Sequence, residues 1–222
     1  MASTDPIAGI ILAAGMSKRL GKPKQLLTIG GESIINRVVD TALNSLLDSV
    51  ILVLGHRHAE ILPVLGDRIK VPDLEVVVNR DYRKGLSRSL HCGVLSVRSR
   101  YAACMFLLGD QPLLDSETIN HLIEQYRLSA KSICVPLCRG KRKNPTLFSS
   151  RYYDRLLSIK GDTGARAIIE DQPENVLFVE IDRPDCFRDV DTPGDLALVE
   201  SLFQQRRQVQ NQARKDHQED NT

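Results

Sequence analysis

The sequence has no tryptophan, and its five phenylalanines and five tyrosines are scattered, so it offers no run of rings on which nucleic-acid bases would stack. No apolar stretch approaches the length that spans a bilayer, and the N-terminus lacks the layout of a secretory leader. The five cysteines (92, 104, 134, 138 and 186) are odd in number and form no C-x-x-C pair, which argues against a disulfide framework and against a zinc site. A reducing cytosol is the expected compartment. Charge of either sign is not in excess: the net charge is +2, so no general polyanion-binding field is expected, and with it no nucleic-acid partner.

What is present is an ordinary globular composition, with 42% hydrophobic and 26% charged residues over 222 positions. That length suits one large domain with a short tail. Near-continuous apolar runs at 7–14, 50–54, 74–78, 102–108 and 133–137, with a weaker one at 176–181, read as strands covered on both faces. Helical stretches alternate with them. Ile34, Ile35, Val38, Val39, Ala42, Leu43 and Leu46 keep a 3.6-residue stripe, and 118–128 and 165–170 are further helices. The expected fold class is therefore α/β, a three-layer Rossmann-like arrangement with a mostly parallel sheet between helices. The last helix has a legible start: Thr192 as cap, Pro193 at the first helical position, and Asp195 in the capping-box place. It is expected to run to about Gln205. The domain is drawn as residues 1–205, and the polar segment 206–222 as a frayed or disordered tail.

The most informative segment follows the first strand. Ile10-Ile11-Leu12-Ala13-Ala14-Gly15-Met16-Ser17-Lys18-Arg19-Leu20-Gly21-Lys22-Pro23-Lys24-Gln25-Leu26-Leu27 runs from a buried strand into small residues, then a hydroxyl, an arginine and several lysines. Small residues let backbone amides approach a phosphate, and guanidinium and ammonium groups match its charge. A Walker A loop needs four residues between its glycines, but five separate Gly15 from Gly21. The dinucleotide G-x-G-x-x-G is absent. By itself the segment also fits a strand-to-loop turn with a solvated basic face.

L-A-A-G-x-S-x-R-L-G-x-x-K-x-L-L resembles the signature loop of the MobA-like nucleotidyltransferases, which activate molybdopterin, sugars and terpenoid alcohols. Gly109-Asp110-Gln111-Pro112 is similar to that family's metal-binding G-D-x-P, and Asp189-Val190-Asp191-Thr192-Pro193-Gly194-Asp195-Leu196 to its D-[IV]-D-T-P-x-D-L. Asn79-Arg80-Asp81-Tyr82 and Gly85-Leu86-Ser87-Arg88-Ser89-Leu90 resemble the segment that meets the base. Asn144-Pro145 and Gly161-Asp162-Thr163-Gly164-Ala165-Arg166 resemble stretches of the molybdopterin cytidylyltransferase branch. The matches span residues 7–200 in order.

The resemblance implies a Mg²⁺-dependent transfer of CMP from CTP to molybdopterin. Lys24, Arg19 and Asp110 would be the catalytic residues. Leu12, Ala13, Ala14, Gly15, Ser17, Arg19, Lys24, Asn79, Gly85, Ser87 and Ser89 would bind the nucleotide. Asp110 and Asp191 would ligate the metal, with Asp189 the alternative to Asp191. The finished cofactor would pass to a molybdoenzyme or to the chaperone that inserts it. The basic residues at Arg139, Lys141, Arg142 and Lys143 form either an acceptor contact or a solvated loop.

Overall fold

A computed structural model describes residues 5–17 and 20–219. In chain order the labelled elements are β1 (Ile7–Ala13), β2 (Thr28–Ile29), β3 (Glu32–Ser33), α1 (Ile34–Leu43), β4 (Ser49–Leu54), α2 (His58–Ile61), β5 (Leu74–Val78), α3 (Leu86–Val97), β6 (Ala103–Leu108), α4 (Ser116–Leu128), β7 (Ile133–Cys138), β8 (Lys141–Arg142), β9 (Thr146–Ser149), α5 (Tyr153–Ser158), α6 (Arg166–Asp171), β10 (Val176–Glu180) and α7 (Pro193–Glu219). Short 3₁₀ turns connect several of them.

Among the described residues, eight strands form one sheet in the order β10-β7-β9-β6-β1-β4-β5, with β8 paired to β7. β1 runs parallel to both β4 and β6, β4 to β5, and β7 to β10. β9 is antiparallel to β6 and β7. Alternate side chains of β1 serve two cores, as the period of two requires. Ile7, Ile11 and Ala13 pack with α1, α4 and the start of α7, while Ala8 and Ile10 pack with α3, α5 and α6. These are the three expected layers of the α/β fold.

Local chemistry sets the helix starts. The Ser33 hydroxyl accepts the Asn36 amide of α1 at 3.3 Å, and the Asp115 carboxylate accepts the Thr118 amide of α4 at 2.9 Å. At α7 the capping box is reciprocal: the Thr192 amide donates to Asp195 at 2.8 Å, and the Asp195 amide donates to the Thr192 hydroxyl at 3.2 Å.

Two expectations need correction. α1 ends at Leu43, so Leu46 lies beyond it and is 43% exposed. α7 does not stop near Gln205 but continues to Glu219. Residues 206–219 contain no glycine or proline and are rich in Gln and Arg, whose helix propensity carries the turns forward. Arg206 also ties the helix back to the domain by donating to the Leu113 carbonyl at 2.7 Å. No helix of the described residues is long and apolar enough to cross a membrane. The five cysteines are free.

Candidate nucleotide site

From β1 the chain builds β4 and β5 on one side, then returns to lay β6 on the other. The sheet therefore changes direction between the carboxyl ends of β1 and β6, where open α/β sheets hold ligands. Leu12 is in register with Leu108, and the Gly109 amide donates to the Leu12 carbonyl at 3.0 Å. A Cβ on Gly109 would sit 2.7 Å from the Ala13 Cβ, so this close approach of the two strand ends requires glycine. Asp110 emerges directly beside the first loop as a result.

The loop folds back on itself. The Lys24 amide donates to the Ser17 hydroxyl at 3.0 Å, and buried Gln25 donates from Nε2 to the Ala13 carbonyl at 2.8 Å. The single 3₁₀ turn Lys24–Leu26 then aims the Lys24 side chain inward. On the other side, the Val190 amide donates to the Asp110 carbonyl at 3.0 Å, which carries Asp191 to the same place. The outcome is a three-membered charge cluster: Lys24 Nζ pairs with Asp110 Oδ2 and lies 2.9 Å from Asp191 Oδ1. Residues 86 and 167 positions away from Lys24 meet at one ammonium.

Burial pulls the Lys24 ammonium toward deprotonation, but the Asp110 carboxylate, aided by Asp191, outweighs it and the net shift is upward. The group is a cation throughout the neutral range. Asp189 lies behind the cluster, where Gln111 Nε2 donates to its Oδ1 at 2.9 Å. Burial and the nearby Asp110 charge push its carboxyl up. Asp191, not Asp189, is the residue that touches Lys24.

A cleft of about 580 Å³ opens from this cluster. Leu12, Ala13, Ala14, Gly15, Lys24 and Asp110 line it from β1, the first loop and the end of β6; Tyr82, Gly85, Leu86, Ser89 and Asp162 line it from α3, the segment before it and the 161–165 loop. Asn79 and Ser87 are nearly fully buried and do not line it. Asn79 instead donates from Nδ2 to the Ser89 hydroxyl at 3.0 Å, and the Ser87 amide donates to the Gly161 carbonyl. Ser17 acts on the Lys24 backbone. Arg19 lies outside the described residues. Tyr82, Gln25 and Asp162 were not singled out as nucleotide-binding from sequence. Tyr82 and Asp162 sit inside the quoted motif stretches, but only the fold shows that they face the cleft.

The site fits a divalent cation. Asp110 Oδ1 is buried and has no hydrogen-bond partner, and a positive group already stands where Asp110 and Asp191 converge. Two carboxylates suit Mg²⁺, whose remaining positions are commonly filled by phosphate oxygens and water. Among the described residues no group of three or more acidic, histidine or cysteine side chains forms a self-sufficient metal cage.

The chain is similar to several known proteins. It is 32% identical to the purine catabolism protein PucB of Bacillus subtilis, over 87% of this chain and 95% of that one. It is 27% identical to nicotine blue oxidoreductase of Paenarthrobacter nicotinovorans, over 84% of this chain and 92% of that one. The crystal structure of Rv0371c from Mycobacterium tuberculosis superposes with a TM-score of 0.79 at 28% identity, covering 90% of this chain and 99% of that one. Rv0371c has also been solved in complex with manganese, and that structure matches with a TM-score of 0.74. Residues 9–176 match the MobA-like NTP transferase domain, and with the strand-end aspartate, the lysine-bearing loop and the cleft between them, the chain belongs to that family and is a nucleotidyltransferase.

Proposed function

We propose that the protein transfers CMP from CTP to molybdopterin, releasing pyrophosphate and forming the cytosine dinucleotide cofactor. The observation that carries this reading is the convergence of Lys24, Asp110 and Asp191 at the glycine-opened end of the cleft. The triphosphate lies along the Ala13–Ala14–Gly15 backbone, and the base extends toward Tyr82 and Ser89.

A second cleft, also about 580 Å³, shares Leu12, Leu86 and Leu108 with the first. Its floor is apolar, with Phe106, Val135 and Phe148, and its rim carries Lys141 and Lys143. Arg142 and Arg166 on the same rim are paired with Glu170, at 3.6 and 2.8 Å. A flat ring system bearing a phosphate matches a floor and rim of this kind. The Gly161–Arg166 stretch that resembles the cytidylyltransferase branch lies on the partition between the clefts, which favours molybdopterin as acceptor.

In the reaction, an oxygen of the acceptor phosphate attacks the α-phosphorus and the bond to the β-phosphate oxygen breaks. A phosphate monoester has its second pKa near ~6, so it is already a nucleophilic dianion at neutral pH and needs no general base. Lys24 leaves its carboxylate partners and donates to the transferring phosphate, where negative charge builds. The loop amides hold the triphosphate in line. Asp110 and Asp191 would hold a Mg²⁺ ion, which would supply charge neutralisation for the α-phosphate and the departing pyrophosphate. Reaction occurs in the cytosol, and a molybdoenzyme or its insertion chaperone receives the product.

The test is pyrophosphate release with Mg²⁺, each nucleoside triphosphate and molybdopterin. CTP with molybdopterin is expected to give turnover. Release with GTP, or only with another phosphorylated acceptor, replaces the substrate assignment. Molybdopterin binding with no release from any triphosphate identifies an accessory protein instead.

A further inference from the structure

One wall of the nucleotide cleft is completed by a loop from a distant part of the chain. Residues 161–165 dock on the amino end of α3: the Leu86 amide donates to Asp162 Oδ1 at 3.1 Å, and the Ser87 amide donates to the Gly161 carbonyl at 3.1 Å. The packing is close enough that a Cβ on Gly85 (φ +104°) would stand 2.4 Å from the Gly161 oxygen. Asp162 is thereby held among the residues that line the cleft. It spends one oxygen on the Leu86 amide and makes no ion pair among the described residues.

Ser89, on the same wall, accepts the Asn79 Nδ2 proton at 3.0 Å, so its own hydroxyl hydrogen is left to donate. The wall therefore offers the Ser89 and Tyr82 hydroxyls and the cations Arg83 and Lys84 as donors, and one carboxylate, the second oxygen of Asp162, as acceptor. Cytosine presents a complementary edge: the N4 amine donates, and N3 and O2 accept. Uracil presents O4, an acceptor, where cytosine has its amine. A carboxylate facing O4 would be repelled and left without a partner.

We propose that Asp162 is a specificity-determining residue that accepts a hydrogen bond from the 4-amino group of the nucleobase and so selects cytidine over uridine triphosphates. This rests on the donor-cleft assignment made above, and it adds a residue to which neither the loop motif nor the metal motif points.

The test needs no acceptor. CTP, UTP and GTP are titrated calorimetrically into the full chain with Mg²⁺, for wild type, Asp162→Asn and Asp162→Ala, with thermal unfolding alongside. Asn retains a carbonyl oxygen for the Leu86 amide, but its NH₂ would face the base and can donate to O4. Wild type is expected to prefer CTP over UTP by roughly ten- to a hundredfold, the scale of one good base contact. Asp162→Asn should erase or invert that preference at unchanged unfolding temperature, and Asp162→Ala should bring it close to unity. A CTP-to-UTP ratio unchanged in both variants, or equal weakening of both nucleotides, would make Asp162 a purely structural clip and overturn the proposal. Tighter binding of UTP or GTP than of CTP by wild type would also overturn it. Binding of no triphosphate at all would strike the donor-cleft assignment itself, whereas CTP selectivity without molybdopterin turnover would leave this inference standing and remove only the acceptor.

Discussion

At Gly15 the chain carries a glycine that its own fold does not require. Its φ is not in the left-handed region, and a Cβ there would meet nothing within 4 Å. Contrast Gly109, where a Cβ would collide with Ala13. On the proposed reading, that space would admit a ligand whose phosphates approach the backbone. Gly15→Ala should therefore leave the unfolding temperature unchanged and weaken nucleotide binding by about tenfold, ~1.4 kcal/mol. A stable variant that binds nucleotide normally would remove the loop from the site. Lys24 makes a different prediction, because in the proposed mechanism its ammonium would serve the transferring phosphate more than the bound one. Lys24→Ala should lower kcat by about 10²- to 10³-fold, the scale of one lost preorganised donor. Its nucleotide Kd, measured without acceptor, should change much less; an equal loss in both would contradict a catalytic role. These residues were legible because they lie within one short segment. Tyr82 and the wall made by Asp162 were not, since nothing local distinguishes an exposed loop aspartate from one that a contact 76 residues away holds against a cleft.

Strands with near-continuous apolar runs were the readable elements, although only β1, β4, β6 and β7 proved buried on both faces and the edge strands β5 and β10 are partly exposed. β1, β4, β5, β6, β7 and β10 coincide with the apolar runs to within a residue or so at either end. β9 escaped notice because four residues following a proline carry too short a pattern, and β8 because its two residues are exposed lysine and arginine. α7 shows both sides of the matter. Its start is written in Thr192 and Asp195, but its end is set by propensity alone, with no breaker to mark it. The cap has a pH signature. The Thr192 hydroxyl and amide hold the Asp195 carboxyl below its ordinary value. A carboxyl depressed in the folded state stabilises above its unfolded pKa, and the contribution is lost as pH falls through the folded one. Asp195→Ala should thus lower the unfolding temperature at neutral pH, with the gap to wild type closing as the pH drops below about 4. A gap that does not vary with pH would mean the carboxylate charge plays no part in the cap.

For the molecule as a whole, the alternation of strand and helix gives the class of fold, and the strand order gives the place of the site. Sequence places the Asp110 motif at a strand end, but not beside β1. That adjacency follows from the return of the chain across β1 to form β6, which brings Asp110 next to a loop almost a hundred residues earlier. Asp191 arrives by a third route, through the Val190 amide on the Asp110 carbonyl. The sheet thus brings Lys24, Asp110 and Asp191 into one charge cluster from three segments that are remote in sequence. The most direct test counts the metal at that centre. Mn²⁺ binding is followed by electron paramagnetic resonance with a non-hydrolysable CTP analogue, in wild type, Asp110→Asn and Asp191→Asn. Nucleotide-dependent Mn²⁺ binding should be present in wild type and lost or greatly weakened in both variants. Undiminished nucleotide-dependent Mn²⁺ binding by both would contradict the assembly of Asp110, Asp191 and the Gly15–Lys24 loop around a single triphosphate.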